Sequence, residues 1–233
     1  MASRMHGFKV AGALALGLLG ALSWAGEAGA ATSPAFECFK RPTTTSQGAP
    51  SAAILRTLGV LRRPATAADT LPPSFLSAPF GRGEGVFVNY VRLARVVGDT
   101  SYYLVPVAKG CNRTLSEEVG LDEVAPGGFG GYGGSSLNDI RRGRTLETLG
   151  KDELSTASGV VPDKVARVVL VYGAKEPNNP SPKKHHAVRV VATVVNNVFV
   201  VSVPRDPGDA IQPSKTIWRS AKGRVLKEIR SHG

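Results

Sequence analysis

The sequence is poor in the residues that most often carry chemistry. Of its 233 residues only 4 are histidine and 2 are cysteine, and aromatic side chains make up 6%. His185 and His186 sit side by side in a Pro-, Asn- and Lys-rich stretch, and His232 stands next to the last residue. An imidazole acting as general base has to be held by packing and oriented by a carboxylate. That stretch supplies neither. Adjacent histidines point apart on an extended chain, and no cysteine or carboxylate stands at ligand spacing from them, which argues against a metal site. Nor is there an apolar run after residue 30 long enough to cross a bilayer. Aromatics interleaved with a basic stripe, the mark of specific nucleic-acid recognition, are missing as well.

Two patterns that resemble sites fail on context. Gly128, Gly130 and Gly133 satisfy G-x-G-x-x-G, with Asp152 about twenty residues on. Ala125-Pro126 precedes them where a buried strand is required, no βαβ unit follows, and no Lys-Ser or Lys-Thr completes a phosphate loop. The acidic pairs Glu117-Glu118 and Asp122-Glu123 suggest the paired carboxylates of a glycoside hydrolase, but neighbouring acids in a polar segment read as solvated surface. No cofactor and no catalytic residue is therefore assigned.

What the sequence has in quantity is a leader and positive charge. Arg4, His6 and Lys9 precede an apolar run from Val10 to Trp24, and Ala28-Gly29-Ala30 places small residues where a signal peptidase cuts. Residues 1–30 read as a cleavable secretory signal peptide, with the mature chain starting near Ala31 in the extracellular space or on the cell wall. Removing Arg4, Lys9 and Glu27 lowers the formal charge of +11 by only one. Such a charge favours anionic surfaces, wall polymers among them. The basic residues are scattered, in runs no longer than Arg62-Arg63, Arg141-Arg142 or Lys183-Lys184, which reads first as solubility.

Residues 31–50 form a Thr-, Ser- and Pro-rich lead-in. In residues 51–124, Ser51 is an N-cap for a helix whose Ile54, Leu55, Leu58 and Leu61 share a face, and Thr66 to Asp69 forms a capping box. Strands near Tyr90 to Val97 and Ser101 to Val107 flank the turn Gly98-Asp99-Thr100, and their β propensity outweighs a competing helical spacing. Residues 125–136 hold the glycine-rich stretch, read as a loop, with Ser135 or Ser136 capping a short helix at Leu137 and Ile140. Residues 137–233 carry five strand signals: Val165 to Tyr172, Ala187 to Val195, Val198 to Val203, Lys215 to Arg219 and Arg224 to Ile229. Asn196-Asn197 and Lys222-Gly223 are the turns of two hairpins. The expected class is mainly β: an antiparallel, sandwich-like C-terminal sheet with an N-terminal helix and β-hairpin, residues 137–233 packing with 51–124 as one domain.

Several phrases point the same way: Leu61-Arg62-Arg63-Pro64-Ala65-Thr66, Val91-Arg92-Leu93-Ala94-Arg95, Ser101-Tyr102-Tyr103-Leu104-Val105-Pro106, Gly159-Val160-Val161-Pro162-Asp163, Val195-Asn196-Asn197-Val198-Phe199 and Trp218 through Val225. Together they resemble a group of uncharacterised exported actinobacterial proteins. The resemblance implies an exported Gram-positive protein and transfers no activity. Lys164 stands where that group has Gly. The sequon Asn112-Arg113-Thr114 has meaning only in a eukaryotic secretory route, which the resemblance disfavours.

Two site expectations remain. Cys38 and Cys111 are the only cysteines, and an exported chain matures where thiols oxidise, so they are expected to form one disulfide. Tyr90, Arg92, Arg95, Tyr102 and Tyr103 share the N-terminal hairpin, where Arg stacked on Tyr either rigidifies the sheet or presents a binding surface. Rigidification is the default. The functional expectation is an exported, non-enzymatic interaction or structural module whose partner is an anionic wall polymer or another envelope protein. The rival is a secreted hydrolase with a carboxylate or serine site assembled from distant residues.

Overall fold

A computed structural model describes residues 43–46, 48–76, 84–109, 116–131, 134–149, 154–172, 188–204 and 212–230. The expected signal peptide, the expected Cys38–Cys111 pairing, the sequon and all four histidines lie outside these residues. Among the described residues no helix is long and apolar enough to cross a membrane. The protein is mainly β, as the strand signals require.

Two antiparallel-dominated sheets of seven strands each make up the fold. The first runs β1 (Thr43–Ser46), β2 (Glu84–Phe87), β4 (Thr100–Lys109), β5 (Ser116–Ala125) and β6 (Gly128–Gly131). In it β3 (Arg92–Val97) also pairs with β4, and β7 (Ser135–Ser136) with β5. The one parallel pairing is β1 with β2. The second sheet contains β8 (Glu147–Leu149), β9 (Leu154–Val160), β10 (Arg167–Tyr172), β11 (Val188–Val195), β12 (Val198–Pro204), β13 (Lys215–Arg219) and β14 (Val225–Arg230). Its spatial order is β14-β13-β10-β11-β12-β9-β8.

One face of the second sheet packs around a core of Val168, Leu170, Ala192, Phe199 and Trp218. The opposite side of β12 and β9 presents Val198, Val200 and Val160 to a core shared with Ala94, Tyr102, Leu104, Val119 and Leu121 of the first sheet. Ile54, Leu58 and Leu61, from α1 (Ala52–Thr57) and the 3-10 turn Gly59–Arg62 that follows it, enter the same core. So the sheet-on-sheet cover and the helical cover coexist.

Local chemistry explains the element ends. The Ser51 hydroxyl accepts the Ile54 N–H at 3.4 Å, and Ser136 does the same for Asp139 at 3.1 Å at the start of α3 (Leu137–Arg142). The Thr66–Asp69 capping box is present, opening the 3-10 turn Ala67–Asp69. Asn196 and Asn197 turn the β11–β12 hairpin with φ of 49° and 67°, a left-handed pair that asparagine tolerates. Lys164 has φ of 75°, which is why glycine would suit that position.

Several expectations need correction. The glycine-rich stretch is not a loop where it is described: Gly128–Gly131 is a strand paired to β5 across the Pro126-Gly127 turn. The acidic segment 116–125 is a ten-residue strand, whose pairing with β4 over nine residue pairs outweighs its polar composition. β9 was hidden by its small residues, which the packing demands. A Cβ on Gly159 would stand 2.8 Å from the Phe199 ring and 2.7 Å from the Thr145 carbonyl oxygen.

Candidate functional site

The five residues of the expected hairpin surface do not converge on one exposed face. Tyr102 and Tyr103 are only 4% and 7% exposed and pack into different cores on opposite sides of β4. Burial, reinforced by Glu123 and opposed by Arg95, pushes the Tyr102 hydroxyl up to about 12. Arg92 is also enclosed, with its guanidinium carbon 6.0 Å from the Tyr90 ring centroid. Its Nε and Nη2 donate to the Arg63 carbonyl at 3.1 and 2.8 Å, and its Nη1 to those of Asn89 and Val91 at 2.8 and 2.6 Å. The Arg95 Nη1 donates to the Thr193 carbonyl at 2.7 Å, tying the first sheet to the second. These donors fasten the fold, so the hairpin rigidifies. Tyr90 and Arg92 also line a cleft, taken up below.

Beside them, Asp69 gathers five donated hydrogen bonds. Arg63 contributes two at 2.8 and 2.6 Å, Thr66 gives its N–H at 2.7 Å and its hydroxyl at 2.9 Å, and Leu93 gives its N–H at 2.8 Å. Burial pushes the Asp69 carboxyl up, but these partners outweigh it and hold the group well below the usual carboxylate range.

The second sheet uses its basic residues differently. The pleat points Val168, Leu170, Ala192 and Trp218 into that core, and so sends the alternate residues of β10, β11, β13 and β14 to the opposite face. The register then assembles three rows across the strands. One row holds Arg230, Lys215, Val171 and Arg189. The next holds Glu228, Ile217, Val169 and Val191, and the third Arg219, Arg167 and Thr193. Two basic rows thus flank an apolar one, each about 7 Å from the next. Among the described residues of this face, the only acid is Glu228, and it pairs with Lys215 at 2.9 Å. That contact holds the Glu228 carboxyl below its ordinary value. Arg167, Arg189 and Arg230 are exposed, as is Val191, while Ile217 and Val169 are buried between the rows. A cavity of about 320 Å³ opens here, lined by Val171, Arg189, Ser214, Lys215, Ile217 and Arg230. Its chemistry is that of an anion receptor with an apolar floor.

The reading of Asp122-Glu123 as solvated surface needs correction. Asp122 is buried, and Glu123 lies opposite Tyr102 on β4. Burial raises the Glu123 carboxyl. The Glu147 carboxyl, on the second sheet, is raised by burial and then by the charge of Glu123. Lys109 pairs with Glu118 at 2.9 Å, and Glu117 accepts the Ser51 N–H at 3.0 Å. Among the described residues no group of three or more His, Cys, Asp and Glu could hold a metal ion.

Sequence reasoning missed the basic face because each strand contributes only one or two of its members. The available signal was Lys215 and Arg219 at i and i+4 of one strand, with Arg167 heading another. No family model matches the chain, and no curated protein and no solved structure matches it either.

Proposed function

We propose that the chain is an exported, non-enzymatic interaction module of the cell envelope or extracellular space, and that the outer face of β14-β13-β10-β11 meets its partner. The observation that carries this reading is the register itself, which collects Arg167, Arg189, Lys215, Arg219 and Arg230 around an apolar floor. A partner suited to that face is an extended anionic polymer of the wall, whose charged groups meet the basic rows while its backbone lies over Ile217, Val169 and Val191. Another envelope protein with an acidic strand is the alternative partner. The face carries no aromatic side chain for stacking bases, which disfavours single-stranded nucleic acid.

The test is retention of the mature protein, beginning near Ala31, on purified anionic wall polymer. Retention should fall steeply between about 0.05 and 0.5 M salt. It should also fall in the double variant Arg167→Glu, Arg189→Glu, while circular dichroism stays native. Retention indifferent to both salt and the double variant removes the proposal. The compartment is tested separately: a chain starting near Ala31 should appear in the extracellular or wall fraction, and intact Met1 to Gly233 confined to membranes refutes cleavage.

One observation favours the rival. Glu147 lies within electrostatic reach of Glu123, and burial raises both carboxyls, which favours a protonated carboxyl able to act as a general acid at this place. Release of reducing ends from wall polysaccharide, abolished in both Glu123→Gln and Glu147→Gln, would establish a hydrolase. Release no greater than the blank would retire that reading.

A further inference from the structure

A second recognition site lies on the other side of the molecule's chemistry, where Arg62, Arg63 and Arg92 line a cleft of about 590 Å³. That volume suits a small organic ligand. Leu55, Leu61 and Pro64 give it an apolar lining, and the Tyr90 ring stands beside the Arg92 guanidinium.

The charges of this cleft do not balance. Arg62 pairs with Asp163 at 3.1 Å and also donates to the Leu55 carbonyl. Arg63 pairs with Asp69 at 2.6 Å. Arg92, only 4% exposed, has hydrogen bonds to the carbonyl oxygens of Arg63, Asn89 and Val91 and, among the described residues, no ion pair. Asp69 attracts it from a distance, but Arg63 repels it, and burial comes first among the influences that lower its pKa. Glu117, on β5, accepts the Ser51 N–H next to the cleft residue Ala49 and its neighbour Pro50. A buried cation held by dipoles alone is stabilised further when an anion arrives beside it in a low-dielectric site.

We infer that this cleft binds a small organic monoanion with a planar apolar body, an aryl carboxylate in chemical class, its charge set toward Arg92 and its ring against Tyr90, Leu55 and Pro64. One negative charge matches the one guanidinium of the cleft that has no carboxylate partner among the described residues. The apolar lining rewards a ring over a bare inorganic ion. The site is separate from the basic sheet face and does not depend on it.

The probe is naphthoate, with the neutral naphthamide as its isostere, followed by fluorescence titration of the full chain. Naphthoate should saturate below about 1 mM, and naphthamide should bind at least about tenfold more weakly, as expected when a charge-assisted contact is lost. Arg92→Gln should remove the preference, but it also strips three carbonyls of a donor and can unfold the protein. Ala49→Trp serves as the second variant, because Ala49 is an exposed residue on the cleft wall and indole there fills the space without entering the core. It should abolish binding with an unchanged melting temperature. The double variant Arg167→Glu, Arg189→Glu should bind naphthoate like the native chain. Equal binding of acid and amide, native binding by Ala49→Trp, no saturation by about 1 mM, or loss of binding in the sheet-face variant would each overturn the inference.

Discussion

The two sheets treat positive charge in opposite ways. Around the first sheet, Arg63 and Arg92 turn inward and spend their donors on Asp69 and on backbone carbonyls. On the second, Arg167, Arg189 and Arg230 stand exposed on one face, with Glu228 as the one acid among its described residues. Charge of the first kind holds the chain in its fold, and charge of the second kind is available to a partner. A basic composition therefore predicts neither role by itself. The burial and the register of each residue decide which it plays.

The comparison breaks most visibly at Asp69. Asp69→Ala should cost about 3–5 kcal/mol in urea unfolding, because it leaves Arg63 without its buried partner and strands the N–H groups of Thr66 and Leu93. Arg167→Glu, Arg189→Glu should stay within about 0.5 kcal/mol of the native value, as surface changes usually do. Equal losses in the two variants would erase the distinction. The pH dependence has a fixed sign. A carboxyl lowered in the fold contributes stability that is complete above the unfolded value near pH 4 and is lost as pH falls toward the folded one. Asp69→Asn should therefore flatten the acid limb of the stability profile.

A smaller effect is expected where the sheets meet. Asn197 donates to the carbonyl of Val161 at 3.1 Å and to Asp163 at 3.0 Å, and its Oδ1 accepts the buried Val60 N–H at 3.1 Å. Asp163 in turn accepts the Gly59 N–H at 2.7 Å. Asn197→Ala should cost about 2–3 kcal/mol by chemical denaturation, since it leaves the Val60 donor unpaired and puts alanine, which tolerates the left-handed region less well than asparagine, at positive φ. Asn197→Gly keeps the backbone freedom and isolates the hydrogen-bond share.

These positions also show what could be read in advance. Side chains that act on their own neighbours were legible: Ser51, Ser136 and the Thr66–Asp69 box act within three residues, and Asn196-Asn197 within a single turn. Strands with ordinary apolar alternation were legible too. β5 was not, because Glu117-Glu118 and Asp122-Glu123 advertise solvent while the pairing with β4 places Val119, Leu121 and Asp122 in buried positions. The basic face was invisible for a related reason. It needs the outward parity of four strands and their register together, and no segment carries both.

Two finer effects sharpen the contrast. Lys164→Gly should raise stability by about 1 kcal/mol, because the left-handed backbone at that position strains any residue with a Cβ. Glu147→Gln should raise the melting temperature by about 2 °C at pH 7, and the gain should vanish near pH 4. The sign follows from the raised carboxyl: its contribution is favourable below the unfolded value and is lost as pH climbs through the folded one, so the ionised group is a burden at neutrality. A melting temperature unchanged at both pH values would show that burial and the Glu123 charge do not raise the Glu147 carboxyl.

The junction at Asn197 has a kinetic consequence. Val60 finds its partner 137 residues downstream, and Gly59 finds Asp163 104 residues downstream. The core built on Ile54, Leu58 and Leu61 likewise waits for Val198 and Val200. Closing loops of that length is slow, so a chain of this topology folds late relative to its own synthesis. Its early segments then find their buried partners only when nearly the whole polypeptide is available.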